Sequence, residues 1–176
     1  MRRIMLALAT VTVLVALPSQ ASAQYQVGPY LAFHDDADLG IGAFVGIPMP
    51  AIHEDLSFVG DFGFFFPGNG DHEGADHDYW EANADALFRF PIPDLSFTPW
   101  AIAGLNIAHF SGYHRHGESP LDDSYSDTEI GLNLGGGVTF GEGPMAPFVG
   151  AKFELGGGEG AVIFGGLSFT VGNAGR

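Results

Sequence analysis

The densest run of ligand-type side chains is GNGDHEGADHDYW, residues 68–80, where Asp71, His72, Asp76, His77 and Asp78 crowd between glycines and an aromatic pair. Carboxylate and imidazole together suit zinc, manganese or calcium according to the geometry they adopt. Neither a twelve-residue calcium loop nor a His-Glu-x-x-His spacing occurs, and His114-x-His116 is too common a pair to define a centre. The expectation is association of divalent cations with an acidic loop, with no formed metal centre. Nucleophile elbows, phosphate loops and dinucleotide fingerprints are missing, so no catalytic residue and no cofactor is assigned.

The chain ends say where such a loop belongs. Met1-Arg2-Arg3 is a basic head, Ile4 to Leu17 is an apolar run, and Ala21-Ser22-Ala23 is a small-residue cleavage pattern. This reads as a secretory signal peptide over residues 1–23, exported by the general secretory route, followed by one domain over residues 24–176. Without Arg2 and Arg3 the formal charge moves from −15 to −17. So acidic a chain argues against nucleic acid and against a basic patch docking on anionic headgroups, and it favours divalent cations as companions. Cysteine is absent, which excludes disulfides and thiolate metal sites.

From Gln24 onward the pattern has period two, broken by turns, and predicts an all-β domain. Eight runs begin near Val27, Leu39, Leu56, Tyr79, Phe97, Thr128, Phe148 and Ala161. Most span about 9–12 residues, close to what a tilted strand needs to cross a bilayer. Their connections alternate between two chemistries. Ile47-Pro48-Met49-Pro50, Pro91-Ile92-Pro93 and Gly143-Pro144-Met145-Ala146-Pro147 are proline turns; His34 to Asp38, residues 68–80, Tyr113 to Asp127 and Gly157 to Gly160 are acidic or glycine-rich. Strict alternation fits an up-and-down meander whose two ends face different surroundings.

Within the runs the apolar residues form one row and the charged residues Asp61, Glu81, Asp85, Arg89, Glu129, Lys152 and Glu154 all fall on the other. The polar row is otherwise rich in glycine and small amides, which suits the cramped lumen of a small closed barrel better than a watered surface. The expectation is a closed eight-stranded antiparallel transmembrane β-barrel with its apolar row toward lipid and an ion-paired plug inside. Trp80 with Tyr79, Phe110 with Tyr113, and Trp100 near the proline end are expected to supply the aromatic girdles. Five lumen acids against two bases leave a narrow cation-preferring pore as one alternative. A soluble secreted β-barrel, with the apolar row turned inward around an apolar ligand, is another.

Thr98-Pro99-Trp100-Ala101-Ile102-Ala103-Gly104-Leu105, Ile130 to Val138 and Ala146 to Phe153 resemble strand openings of the OmpA/OmpX-like outer-membrane barrels of Gram-negative-type bacteria, porin-like proteins in the broad sense. The resemblance implies a place in the outer membrane beside lipid and lipopolysaccharide, and a structural, envelope-integrity or surface-interaction role without catalysis. Gly166 to Val171 is similar to the terminal-strand signal read by the barrel-assembly machinery, although five residues follow it. His109-Phe110-Ser111 resembles the His-aromatic-Ser segment of outer-membrane lipid A deacylases, with Gly112 where that family has asparagine. This implies an alternative activity, hydrolysis of lipid A acyl chains by His109 and Ser111, with Glu118 or Glu129 as the nearby acids.

Overall fold

A computed structural model describes residues 24–66, 76–114, 123–141, 143–156 and 159–172. The expected signal peptide, and Asp71, His72, His116 and Glu118 among the expected functional residues, lie outside these. The strands are β1 (Tyr25–His34), β2 (Asp38–Pro48), β3 (Leu56–Phe66), β4 (Asp76–Arg89), β5 (Phe97–His114), β6 (Asp123–Phe140), β7 (Met145–Leu155) and β8 (Gly160–Val171). Each pairs antiparallel with the next, and β8 returns to β1, closing the barrel in sequence order. Closure pairs every strand on both sides through the body of the barrel, the condition a sheet must meet to sit in hydrocarbon.

The pairing of Tyr25 with Val171 puts the start of β1 and the end of β8 at the end that carries the three proline turns. Those turns are held by backbone bonds, among them Met49 N to Leu56 O at 2.8 Å and Phe90 N to Pro99 O at 2.8 Å. Asp94 adopts φ 68°, where a short polar side chain is better tolerated than a bulky one. Asp55-Leu56-Ser57-Phe58 and Asp94-Leu95-Ser96-Phe97 look alike in sequence, yet β3 starts at Leu56 whereas β5 starts only at Phe97.

Two strands run well past the expected length. β5 and β6 each have 18 residues, against roughly 9–11 needed to cross a bilayer. β4 begins at Asp76, so Asp76, His77 and Asp78, expected in a loop, pair instead with Tyr113, Gly112 and Ser111 of β5. The reason is that the backbone ladder continues wherever its partner continues, whatever the polarity of the side chains it carries.

Alternation around the barrel is the predicted one, and it inverts the burial of a soluble protein. Ile130 is 72% exposed and Phe153 61%, while Glu81 is 1% exposed and Glu154 2%. Leu31, Phe33, Ile41, Phe62, Leu105, Leu132, Leu134 and Ile163 are also exposed on the outer face. The soluble alternative, which needs this row inward, is therefore overturned.

Candidate functional site

The lumen is built from side chains contributed by all eight strands. Toward the terminal end it is aromatic: Trp100 lies 6.0 Å from Phe164, Phe148 6.3 Å from Phe164, and Phe44 5.4 Å from Phe148, ring centre to ring centre. Trp100 and Tyr79 are buried, and Phe110, partly buried, packs with the inner aromatic cluster. Trp100, Phe110 and Tyr79 are thus not girdle residues: by strand parity Trp100 and Phe110 share the inner row with Ile102 and Asn106, and Tyr79 shares it with Glu81 and Asn83. Room for the indole comes from glycine, since a Cβ at Gly137 or Gly150 would collide with the Trp100 ring. Trp80 does face outward, stacked between Phe62 at 5.7 Å and His109 at 5.1 Å.

In mid-barrel the fill turns polar and is carried by amides. Asn83 Oδ1 accepts from Asn106 Nδ2 at 3.1 Å and from Asn133 Nδ2 at 2.9 Å. Asn83 Nδ2 donates to Asp61 at 2.9 Å, Tyr30 Oη donates to the same Asp61 oxygen at 2.8 Å, and Asn133 reaches Asp85 at 3.1 Å. Arg89, expected in one ion-paired group with Asp61 and Asp85, instead donates to Gln26 at 3.0 Å and Ser57 at 3.2 Å near the terminal end. Its place at the end of β4 puts it two inward positions below Asp85, and Asp61 is satisfied by Tyr30 and Asn83.

Toward the other end stands the ionic cluster. Lys152 Nζ lies 2.7 Å from Glu154 Oε1 and 3.1 Å from Glu81 Oε2, and Tyr79 Oη donates to Glu81 Oε1 at 2.9 Å. The contact with Glu154 is close in distance but poorly aligned as a hydrogen bond. His34 completes the group. Expected in the acidic turn after β1, it is instead the last inward residue of that strand and 2% exposed, packed against Phe65 and Tyr79. The sequence does carry a signal for it, because Gly28, Tyr30, Ala32 and His34 continue one parity. Glu129 shares the inward row but stands exposed at the mouth, where it lines a vestibule of about 610 Å³ with His34, Asp36, Asp127 and Glu159.

No family model and no curated protein matches the sequence. Solved structures match in shape. The N-terminal β-barrel domain of Pseudomonas aeruginosa OprF is 16% identical with a TM-score of 0.59, covering 86% of this chain and 100% of that one. A major outer membrane protein from Thermus thermophilus is 15% identical with a TM-score of 0.62, over 86% and 100% of the two chains. Neisserial surface protein A is 16% identical with a TM-score of 0.58, over 86% and 98%. The chain has the fold of the small outer-membrane barrels.

On that barrel, His109 and Ser111 stand on the outer face of β5, as expected, and Glu118, one of the two acids expected near them, lies outside the described residues. His109 Nδ1 is engaged by Thr128 Oγ1 at 2.7 Å and its ring lies against Trp80. Glu129 points to the other side of the sheet, so it cannot serve as the acid partner. The residues of the expected cation loop are divided: Asp71 and His72 lie outside the described residues, Asp76 and His77 belong to β4, and Asp78 is exposed on it.

Proposed function

We propose that this protein is a non-catalytic barrel of the outer membrane with a structural or surface-interaction role. One observation carries the reading: leucine, isoleucine and phenylalanine cover the outside of a closed barrel whose inside holds Glu81, Asp85, Lys152 and Glu154. In water this arrangement would strand both sets of groups, whereas in a bilayer each has its proper surroundings. The signal peptide over residues 1–23 takes the chain through the general secretory route, and Gly166 to Val171 in β8 is offered to the barrel-assembly machinery.

In this reading the termini and proline turns face the periplasm, and the acidic connections face outward among lipopolysaccharide. A rim bearing Asp35, Asp36, Asp127, Glu129 and Glu159 repels lipid phosphates unless divalent cations bridge the two. Cation association at Asp71, His72, Asp76, His77 and Asp78 then joins the protein to its lipid surroundings and supports envelope integrity.

The test is membrane fractionation combined with gel mobility before and after heating. The protein is expected in the outer-membrane fraction, with a compact unheated form that shifts on boiling; release into the soluble fraction without detergent would overturn the reading. The hydrolase reading has its own test. Lipopolysaccharide from cells making the native chain and from cells making Ser111→Ala should have the same mass, and loss of acyl chains only with the native protein would reinstate it.

A further inference from the structure

We propose that His34, Glu81 and Glu154 form a site for one first-row divalent metal ion, of the zinc class, at the base of the vestibule. The three residues come from β1, β4 and β7, and one ligand atom from each lies within 4.8 Å of the others. This site is separate from the expected cation loop, none of whose residues belongs to it.

Three observations point to a ligand. First, His34 Nε2 and Glu154 Oε2 are buried and have no hydrogen-bond partner among the described residues, on side chains only 2% exposed and turned toward each other at 3.8 Å. Buried polar atoms left so are uncommon and call for an occupant. Second, the carboxylates divide their oxygens. Glu81 Oε2 and Glu154 Oε1 face Lys152, while Glu81 Oε1 and Glu154 Oε2 face His34 Nε2 at 4.0 and 3.8 Å. Lys152 therefore does not occupy the position a metal would take. It sits behind it, holding the outer oxygens as partners behind metal ligands do. Third, charge and access agree. The buried acids Glu81, Asp85 and Glu154 exceed the buried base Lys152 by two formal charges, the deficit one divalent ion makes up, and His34 lines the open acidic vestibule.

One nitrogen and two carboxylate oxygens form a donor set that zinc accepts. Around tetrahedral zinc, with bonds near 2.0 Å, donor atoms stand about 3.3 Å apart, so the His34 ring, at 4.0 Å from Glu81 and 3.8 Å from Glu154, must close on each carboxylate by roughly 0.5–0.7 Å. Metal at Nε2 requires the proton on Nδ1. That nitrogen now accepts Asp36 N–H at 3.0 Å, and Asp35 Oδ1 waits at 3.3 Å to take the new Nδ1–H. Asp35 is itself anchored by Ala161 N–H at 2.9 Å, so this carboxylate is already held where the histidine needs it. Gly160 leaves room for the ring, because a Cβ there would press on His34 Nε2 and Cε1 at 2.8 Å or less.

The experiment uses the full mature chain folded in detergent micelles, titrated calorimetrically with zinc and, separately, with cobalt followed by its visible absorption. One saturable equivalent is expected. His34→Gln and Glu154→Gln should each weaken it at least about tenfold, and Asp35→Asn by about tenfold. A variant with Asp71, His72, Asp76, His77 and Asp78 replaced by their amides or glutamine should retain it. Absence of a saturable site, or affinity unchanged in His34→Gln, overturns the proposal; so does loss of the site in the loop variant alone. Should His34→Gln fail to give the heat-shifted folded form, X-ray absorption of native protein with one equivalent of zinc decides. A first shell containing one imidazole supports the site, and a shell with none or with two overturns it. None of these outcomes alters where the protein fractionates, so the membrane reading stands or falls separately.

Discussion

Lys152 shows what single residues do in this lumen. It is the only lysine or arginine within ion-pairing distance of Glu81 and Glu154 among the described residues, and all three are nearly inaccessible to water. Removing one partner of such a group leaves uncompensated charge, so Lys152→Met should cost about 3–5 kcal/mol. Denaturant unfolding in lipid vesicles measures this loss. Adding Glu81→Gln to Lys152→Met should restore part of it, because the two sites share one interaction. Trp100 represents the other kind of residue, an aromatic that fills a slot between glycines. Trp100→Ala is expected to cost about 3–5 kcal/mol through the cavity it leaves, read by the same unfolding curves. His34 and Lys152 differ in how legible they are. Lys152 is a lone base in an alternating run, whereas His34 abuts Asp35 and Asp36 and so resembles a loop residue until its parity is followed.

For a strand, what matters is which row a substitution enters. Leu134 lies on the outer face of β6, midway between the two ends, and is exposed there. Leu134→Arg should cost about 2–4 kcal/mol in a bilayer, from placing a charge in hydrocarbon. Stability in lipid vesicles, compared with Leu134→Val, checks this; an arginine as well tolerated as the valine would mean the row does not face lipid. On the inner row the limit is space and not polarity. Gly150 of β7 abuts the Trp100 ring and the Gly136 carbonyl, so Gly150→Val should abolish the compact unheated gel form while Ala151→Val, one residue on and outward, keeps it. Strand length was the least legible feature. The extension of β4 to Asp76 depends on β5 still being there to pair with it, and no property of Asp76, His77 or Asp78 announces that.

At the level of the whole molecule the barrel is a filled body. A cavity of about 90 Å³, lined by Tyr30, Phe44, Trp100, Phe148 and Phe164 among others, is separated from the external vestibule by the Glu81, Lys152 and Glu154 cluster. Hydrogen bonds between Asn83, Asn106 and Asn133 cross the space beside it. Reconstituted into a planar bilayer, the protein should show no steady conductance. Ion flow sustained through single openings would show that the cluster parts and would favour the narrow cation-preferring pore.

The sequence by itself determined the architecture: eight alternating runs, two classes of connection, and a charged row that had to face inward. These are local properties, set by period and turn chemistry, and each strand displays them without reference to the others. What only the tertiary structure decided is who meets whom. That Asn83 joins Asn106 and Asn133, that Arg89 bonds Gln26 and Ser57 instead of Asp61, and that His34 closes a ring with Glu81 and Glu154 all depend on register and tilt. A strand's own residues say which face a side chain takes. Its height in the barrel, and therefore its partner, is set by the neighbours it pairs with.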